Sequence, residues 1–494
     1  MQLNLNSETR LHKLKLFLRR YDALIFLLLL GFFLRMAWIN ALIERDEGLF
    51  GIQGKLLLEQ GPDSFLTNKP PLLTLTYGLI VKIFGNSILP IRLFNNLLFM
   101  ISIIILYNLL IKAYDRKTAF ISTLFYCLLM NLPIFEGMLA MSESLSMLPI
   151  ILSFYYFYKY EQKENRIFLF LSLIFASIAF LLKFSNIFIL FIFVILLALN
   201  KKINFKKTFL MILIYISIPI LVHFLSLFFT GTSYYLGIGR SLIHFFSTNL
   251  SHYMPSNFRL FMLLESSFFI FLAFIGLIKL LITRNSDVSS KQADVMFLCW
   301  LFMGLAVAFM PAAFGHYFLI IIPAIALFSA KGLIFLMEVK NKSLKITSIV
   351  ILFSLLSVTI FFFLKQYPDY NVNYKNFHFT YSDFSSYDEQ MQVINFVKEH
   401  TNTTDRILVY GWTGEVYWLS ERTPFGILRF VCYDRTDDFL SSIDHDALLE
   451  WWNPKLLIVM PQYPLNCNGK NLFSSFISNS SLYQIGNIKI YERQ

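Results

Sequence analysis

Long apolar runs recur from residue 21 to residue 365 and are separated by short polar segments. Most runs are long enough to cross about 30 Å of hydrocarbon at roughly 1.5 Å per residue. The pattern predicts an all-α polytopic membrane bundle with about eleven transmembrane helices. The predicted spans are residues 21–42, 92–112, 118–133, 144–160, 167–182, 186–200, 208–229, 259–283, 293–310, 317–337 and 345–365.

Basic residues mark alternate loops between these spans. The N-terminal segment and every second loop carry several Lys and Arg residues, whereas the short loops near 131–143, 183–186 and 311–316 contain only Lys183. Cytoplasmic loops of membrane proteins are enriched in Lys and Arg. The alternation therefore predicts a multi-pass protein of the bacterial inner (plasma) membrane with a cytoplasmic N-terminus.

Two shorter apolar segments, 47–60 and 71–84, do not fit this alternation as spans. Each is short, and a spanning arrangement would place Lys55 or Lys82 in hydrocarbon. We predict that both form interfacial helices on the outer surface. The odd number of spans then gives a transmembrane domain at 1–365 and an extracytoplasmic domain at 366–494.

The C-terminal segment has a different pattern from the rest of the chain. Short apolar runs that are typical of strands alternate with stretches that are typical of helices, which predicts a small α/β domain. No glycine fingerprint follows a strand, so no nucleotide site is expected there. The predicted strands are 406–410, 455–459 and 488–491, and the predicted helices begin after Ser386 and cover 437–451.

Composition agrees with a membrane protein. The chain is 56% hydrophobic and 15% charged, whereas a soluble domain has roughly 25% charged residues. The net charge of +11 lies in short loops without a basic stripe, so no nucleic-acid partner is expected. The cysteines lack metal-ligand spacing, and the sequence identifies no cofactor. Whether the protein needs a divalent cation and whether Cys432 pairs with Cys467 are left open.

Polar residues collect on the predicted outer face. Each has an ordinary structural explanation: an interfacial anchor for the acids after span one, headgroup contact for Lys69, a helix cap for Glu143, and a satisfied interfacial histidine for His316. Their convergence on one face favours a functional site. The set comprises Glu44, Arg45, Asp46, Glu47, Lys69, Glu136, Glu143, Arg240, His244, His252, Arg259 and His316.

Such a set suits sugar transfer from a lipid phosphate. An acceptor hydroxyl is a poor nucleophile, so a carboxylate must take its proton. The leaving group is a phosphate anion, so cationic groups are needed where that charge develops. Carboxylates and a lysine at the lipid–water boundary meet both requirements.

Several short motifs resemble the protein O-mannosyltransferase-like family of C-type membrane glycosyltransferases, to which the aminoarabinose transferase of lipid A is related. The resemblance covers essentially the whole chain. The motifs are Arg45-Asp46-Glu47-Gly48-Leu49-Phe50, Asn68-Lys69-Pro70-Pro71-Leu72-Leu73, Phe84-Gly85-Asn86-Ser87, Ile91-Arg92-Leu93, Met141-Ser142-Glu143-Ser144 and His316-Tyr317-Phe318.

The resemblance implies roles for individual residues. Asp46 would be the general base with Glu47 beside it, and Lys69 would bind the carrier phosphate. Glu143 and His316 would bind substrate, and Arg240 from the polar outer set completes the predicted substrate-binding residues. The implied partners are a polyprenyl-phosphate sugar donor, membrane lipids, and a lipid, glycan or protein acceptor.

Two departures limit what is carried over. The aminoarabinose-transferase branch has an Arg-Tyr pair after its Asp-Glu and an acid before its Lys-Pro-Pro, whereas this chain has Leu49-Phe50 and Asn68. That branch's substrate and any metal site are therefore not assigned. Two other classes stay open: a lipid-linked sugar flippase, disfavoured because no inverted repeat is visible, and an assembly protein, which leaves the motifs unexplained.

Overall fold

The apolar runs of the sequence form helices in a computed structural model of the chain. The structure describes residues 22–60, 70–202, 204–230, 263–282, 288–309, 315–369, 384–411, 413–422, 453–461, 466–467, 470–471 and 473–494.

The described residues are mostly helical. The helices are α1 (22–36), α2 (Arg45–Gln60), α3 (Pro71–Phe84), α4 (Ile88–Ala113), α5 (Arg116–Leu129), α6 (Ser142–Lys163), α7 (Arg166–Leu182), α8 (Phe188–Leu199), α9 (Phe205–Thr230), α10 (Ser267–Ile282), α11 (Val288–Phe309), α12 (Ile322–Glu338), α13 (Lys342–Asp369), α14 (Tyr387–His400), α15 (Gly414–Ser420) and α16 (Ser474–Ser478).

Several of these helices can cross a membrane. Among the described residues, five are long and apolar enough by length and composition, and four more apolar helices are shorter. The prediction of a helical membrane protein with a small C-terminal sheet is confirmed at this level, and the count of eleven spans stays a prediction. The five are Ile88–Ala113, Phe205–Phe224, Val288–Ala308, Gly315–Glu338 and Lys342–Phe362.

The chain divides into two compact units. The first contains the described parts of 1–39, 93–221 and 248–364, and the second contains those of 40–92, 222–247 and 365–494. The second unit therefore unites the first predicted outer loop with the C-terminal segment, which begins one residue before the predicted domain boundary. The membrane placement of the two predicted domains stays a prediction.

Helices of the first unit pack closely. Gly276 of α10 and Gly332 of α12 allow the two backbones to touch, because a Cβ atom on either would collide with a carbonyl oxygen of the other helix. At the predicted cytoplasmic ends, the Tyr114 hydroxyl donates to the Asp294 carboxylate at 2.5 Å, and Lys331 pairs with the same carboxylate. These contacts tie α11 and α12 to the end of α4.

The second unit contains a four-stranded sheet with the order β1-β2-β6-β5, in which β1 and β2 are parallel and the other pairs are antiparallel. The three predicted strands and the helix after Ser386 are confirmed, and Ser386 caps α14 by accepting from the Glu389 amide. Burial raises the pKa of the Tyr417 phenol, whose oxygen accepts from the Val409 amide of β1. The strands are β1 (Ile407–Tyr410), β2 (Leu456–Val459), β3 (Asn466–Cys467), β4 (Lys470–Asn471), β5 (Ser480–Ile485) and β6 (Ile488–Arg493).

Some predictions fall on residues that the structure does not describe. The predicted helix at 437–451 is one, and the pairing of Cys432 with Cys467 is another because Cys432 lies outside the described residues.

Candidate active site

The start of α2 carries the predicted catalytic acids. Glu44 precedes the helix, and its carboxylate accepts from the Asp46 amide at 2.5 Å. The Glu47 carboxylate reaches back and accepts from the Glu44 amide at 3.2 Å. This reciprocal pattern is a capping box, and carboxylates are favoured there by the helix dipole. The acids at positions 44, 46 and 47 therefore form the helix start as well as a charged cluster.

Arg92, near the start of α4, forms a bidentate contact with the Glu47 carboxylate. Its Nε and Nη2 donate to the two oxygens of Glu47 at 3.2 and 2.6 Å. Nη1 donates to the Ala41 carbonyl at 2.5 Å, and Nη2 also donates to the Leu42 carbonyl at 2.9 Å. Bidentate Arg–carboxylate pairs are strong and geometrically specific. The pair therefore fixes the chain directly before α2.

Asp46 and Glu47 have different environments although they are adjacent. Glu47 is fully buried, with both oxygens bound to Arg92, whereas Asp46 is half-buried. Tyr77 of α3 is buried within electrostatic reach of both acids and packs edge-on against Phe50 of α2, with 5.4 Å between the ring centroids. Asp46 is thus the more exposed of the two acids.

A second cluster lies in the first unit and contains Glu143 and His316. Glu143 occupies the first turn of α6, and His316 lies in a 3-10 turn at Gly315–Ile321. His316 Nδ1 is 2.7 Å from Glu136 Oε2, and its Nε2 is 4.0 Å from Glu143 Oε1. One imidazole therefore stands between two buried carboxylates.

Lys183 is the cation of this second cluster. It follows the end of α7, and its Nζ lies 2.6 Å from Glu143 Oε1 and 4.4 Å from the centre of the Tyr317 ring. The Ser142 hydroxyl donates to the other Glu143 oxygen at 2.6 Å. The Glu143 carboxylate thus binds the side chains of Lys183 and Ser142. A capping residue would instead accept a hydrogen bond from a backbone amide in the first turn of the helix.

The structure places the predicted site residues in two groups. Asp46 and Glu47 lie in the second unit, Glu143 and His316 lie in the first, and Lys69 and Arg240 lie outside the described residues. Among the residues that the structure describes, no group of three or more His, Cys, Asp or Glu side chains could hold a metal ion.

Three residues of these clusters were not predicted as site residues. Arg92 lies in the Ile91-Arg92-Leu93 motif, Glu136 lies in the polar outer set, and Lys183 is the only Lys or Arg in the short outer loops. Each therefore left a signal in the sequence, but none of these signals indicated a partner. Partner identity depends on contacts between residues 40 to 180 positions apart.

Comparison with protein families supports the predicted resemblance. The family model described as dolichyl-phosphate-mannose-protein mannosyltransferase matches residues 68–226. The match includes Lys69, Glu136, Glu143 and Lys183 and begins after Asp46. It spans about a third of the chain. A comparison with curated protein sequences gave no match.

Solved structures share the fold over most of the chain. ArnT from Cupriavidus metallidurans, bound to undecaprenyl phosphate, has a TM-score of 0.62 at 10% identity, and the match covers 96% of this chain and 98% of that one. The oligosaccharyltransferase AglB from Archaeoglobus fulgidus was solved in complex with an inhibitory peptide and a dolichol-phosphate. It has a TM-score of 0.56 at 10% identity, and the match covers 97% of this chain and 75% of that one.

The apo oligosaccharyltransferase of Archaeoglobus fulgidus has a TM-score of 0.55 at 10% identity, and the match covers 88% of this chain and 69% of that one. At these identities the structures show a common fold. Together with the family match, they confirm the predicted resemblance to C-type membrane glycosyltransferases, which are membrane enzymes that transfer sugars.

Proposed function

We propose that the protein transfers a sugar from a polyprenyl-phosphate carrier to an extracytoplasmic acceptor, with Asp46 as the general base. The observation that carries the proposal is the difference in burial between the neighbouring acids Asp46 and Glu47. Arg92 binds both oxygens of Glu47, whereas Asp46 is half-buried at the start of α2. Glu47 then positions the loop, and Asp46 takes the proton.

The reaction is a single displacement. Asp46 accepts the proton of the acceptor hydroxyl as its oxygen forms a bond to the anomeric carbon of the sugar. The bond between that carbon and the phosphate oxygen breaks, and its electron pair leaves with the lipid phosphate. A cation stabilises this developing charge, and we assign that role to Lys69 from the sequence motif.

The carrier class is supported by the related structures. ArnT was solved with undecaprenyl phosphate and AglB with a dolichol-phosphate, and both share this fold. We propose the same ligand chemistry here, with membrane lipids around the bundle. The acceptor is a lipid, a glycan or a protein.

Glu143, His316 and Arg240 are proposed to bind the sugar or the acceptor. The described part of this group supports binding, because Glu143 is held by Lys183 and Ser142 beside an imidazole. Fixed carboxylates of this kind can accept hydrogen bonds from sugar hydroxyls. For Arg240 and Lys69 the assignment rests on the sequence alone.

The proposed topology follows from loop charge. The chain crosses a bacterial inner membrane eleven times, α2 and α3 lie at the outer surface, and residues 366–494 are extracytoplasmic. Cysteine labelling from outside in a Cys-free variant tests this arrangement. A Cys at Asp383 should be labelled and a Cys at Arg116 protected, and the reverse result would overturn the topology.

A donor panel tests the proposed activity. Membranes containing the protein are supplied with polyprenyl-phosphate sugars that carry a radiolabel in the sugar, and labelled products are separated. One donor should give a covalently labelled acceptor. Lys69→Ala should weaken donor binding and turnover together, because the carrier phosphate is anionic before and after transfer. Label that crosses a sealed vesicle without joining any acceptor would instead indicate a flippase.

A further inference from the structure

The C-terminal segment contacts the chain at Ile43, shortly before the proposed catalytic acid Asp46. Gln390 of α14 is fully buried, and its amide pairs with both backbone groups of Ile43. Oε1 accepts from the Ile43 amide at 3.2 Å, and Nε2 donates to the Ile43 carbonyl at 3.2 Å. A residue 347 positions away thus holds the backbone immediately before Glu44, the residue that precedes α2.

The orientation of this amide is determined by a third group. Nε2 of Gln390 also donates to Glu415 Oε1 at 3.2 Å. Two acceptors therefore face Nε2, and one donor faces Oε1. A primary amide supplies the acceptor and both donors of this arrangement, whereas an ionised Glu only accepts and an aliphatic side chain does neither.

Helix α15, which carries Glu415, also packs on α2 at close range. A Cβ atom on Gly48 would lie 2.6 Å from the Glu415 backbone nitrogen, and one on Gly51 would overlap the indole of Trp418. Conversely, a Cβ atom on Gly414 would lie 2.9 Å from the Leu49 Cα. The N-terminal part of α2 that follows Asp46 is thus in backbone-level contact with α15.

Helix α14 is itself held firmly. Farther along the helix, the Phe396 ring packs against Tyr483 of β5 with 5.0 Å between ring centroids, and Val393, Ile394 and Val397 of α14 are fully buried. A side chain on a packed helix keeps a well-defined position, and it can therefore fix the position of a neighbouring loop.

From these contacts we propose that Gln390 is a positioning residue for Asp46. The C-terminal segment determines the position of the proposed base in two ways: Gln390 binds the Ile43 backbone, and α15 packs against α2. The inference rests on the proposed function. It assigns the C-terminal segment a part in the transfer step itself, because a displacement of about 1 Å in a reacting group can cost roughly 10²-fold in rate.

The test is a kinetic comparison of Gln390→Leu with Gln392→Leu in membranes containing equal amounts of protein. Gln392 lies on the same helix and is exposed, so it is the matched control. We expect kcat of Gln390→Leu to fall on the order of 10- to 100-fold, with KM for the donor nearly unchanged, and Gln392→Leu to match the wild type. An unchanged kcat in Gln390→Leu would overturn the inference.

A double variant separates positioning of Asp46 from a general structural role. If Gln390 acts through Asp46, adding Gln390→Leu to Asp46→Asn should lower the residual rate no further. A further fall of 10-fold or more would show that Gln390 acts elsewhere. Full activity of Asp46→Asn alone would contradict the proposed base, whereas a loss there combined with wild-type kinetics in Gln390→Leu would contradict only the positioning role.

Gln390→Glu serves where the leucine variant does not accumulate. It keeps the size of the side chain and the acceptor for the Ile43 amide, but an ionised carboxylate loses both donor bonds and faces Glu415. We expect the same fall in kcat at neutral pH. Relative to the wild type at the same pH, which controls for protonation of the general base, the rate should partly recover at lower pH as the new carboxyl group regains a proton and can donate again. Wild-type turnover of this variant at neutral pH would overturn the inference.

Discussion

The two acidic clusters of the molecule hold their carboxylates in different ways. At the start of α2, Arg92 donates to both oxygens of Glu47 and to two backbone carbonyls. These hydrogen bonds of Arg92 therefore stabilise the fold. In the first unit, Glu143 is shared between Lys183, Ser142 and His316, with Glu136 on the far side of the imidazole.

The difference concerns what each partner can do. An Arg guanidinium stays charged under all ordinary conditions and fixes geometry, whereas His and Lys can exchange protons and release a carboxylate to a ligand. The Glu47–Arg92 pair is therefore expected to act on stability, and the Glu143 cluster on transfer rate. Substitutions in the two clusters should separate these effects.

The largest effect on stability is expected from Arg92→Met. It leaves the Glu47 carboxylate buried without its cation, which typically costs about 3–5 kcal/mol. The heat stability of the detergent-solubilised protein should drop sharply. In Arg92→Met/Glu47→Met both charges are gone, and much of the stability should return. Unchanged heat stability in Arg92→Met would contradict a structural role for this pair.

A smaller effect, on rate alone, is expected from Glu143→Gln. The amide keeps the shape but loses the charge that binds Lys183, so we expect transfer to fall roughly 10-fold or more at normal protein abundance. Glu161→Gln is the matched control, since Glu161 lies on the same helix, is also buried, and bonds to Asn200. Full activity of Glu143→Gln membranes would leave Glu143 with a structural role only.

The smallest effect is expected from Lys183→Met. The Lys183 side chain is 24% exposed, so solvent screens part of its attraction to Glu143. Transfer should fall only a few-fold, by less than in Glu143→Gln. A larger loss than in Glu143→Gln, measured in the same membranes, would mean that Lys183 meets a substrate group directly.

The sequence predicted the local structure well where the pattern is periodic. Apolar runs gave most helices to within a few residues, and the Ser386 cap was recognisable before α14. Helix α15 and strand β5 were not predicted, because α15 has only seven residues and no side chain of β5 is buried, which removes the apolar alternation.

The site was predictable in part for a different reason. Asp46, Glu47, Glu143 and His316 stood out as charges at the membrane boundary, and the motifs indicated the family. The different environments of Asp46 and Glu47 could not be predicted, since they depend on the contact of Glu47 with Arg92. The contact of Gln390 with Ile43 could not be predicted either, since nothing near either residue indicates a partner 347 positions away.

The proposed base is tested most directly by the transfer rate of Asp46→Asn with saturating donor. Asp388→Asn is the matched control, because Asp388 occupies the same second position of α14 and is exposed. The substitution is nearly isosteric, so protein abundance and donor binding should be retained while transfer falls roughly 10²- to 10⁴-fold, with Asp388→Asn at the wild-type rate. A wild-type rate in Asp46→Asn would contradict the assignment of Asp46 as the general base.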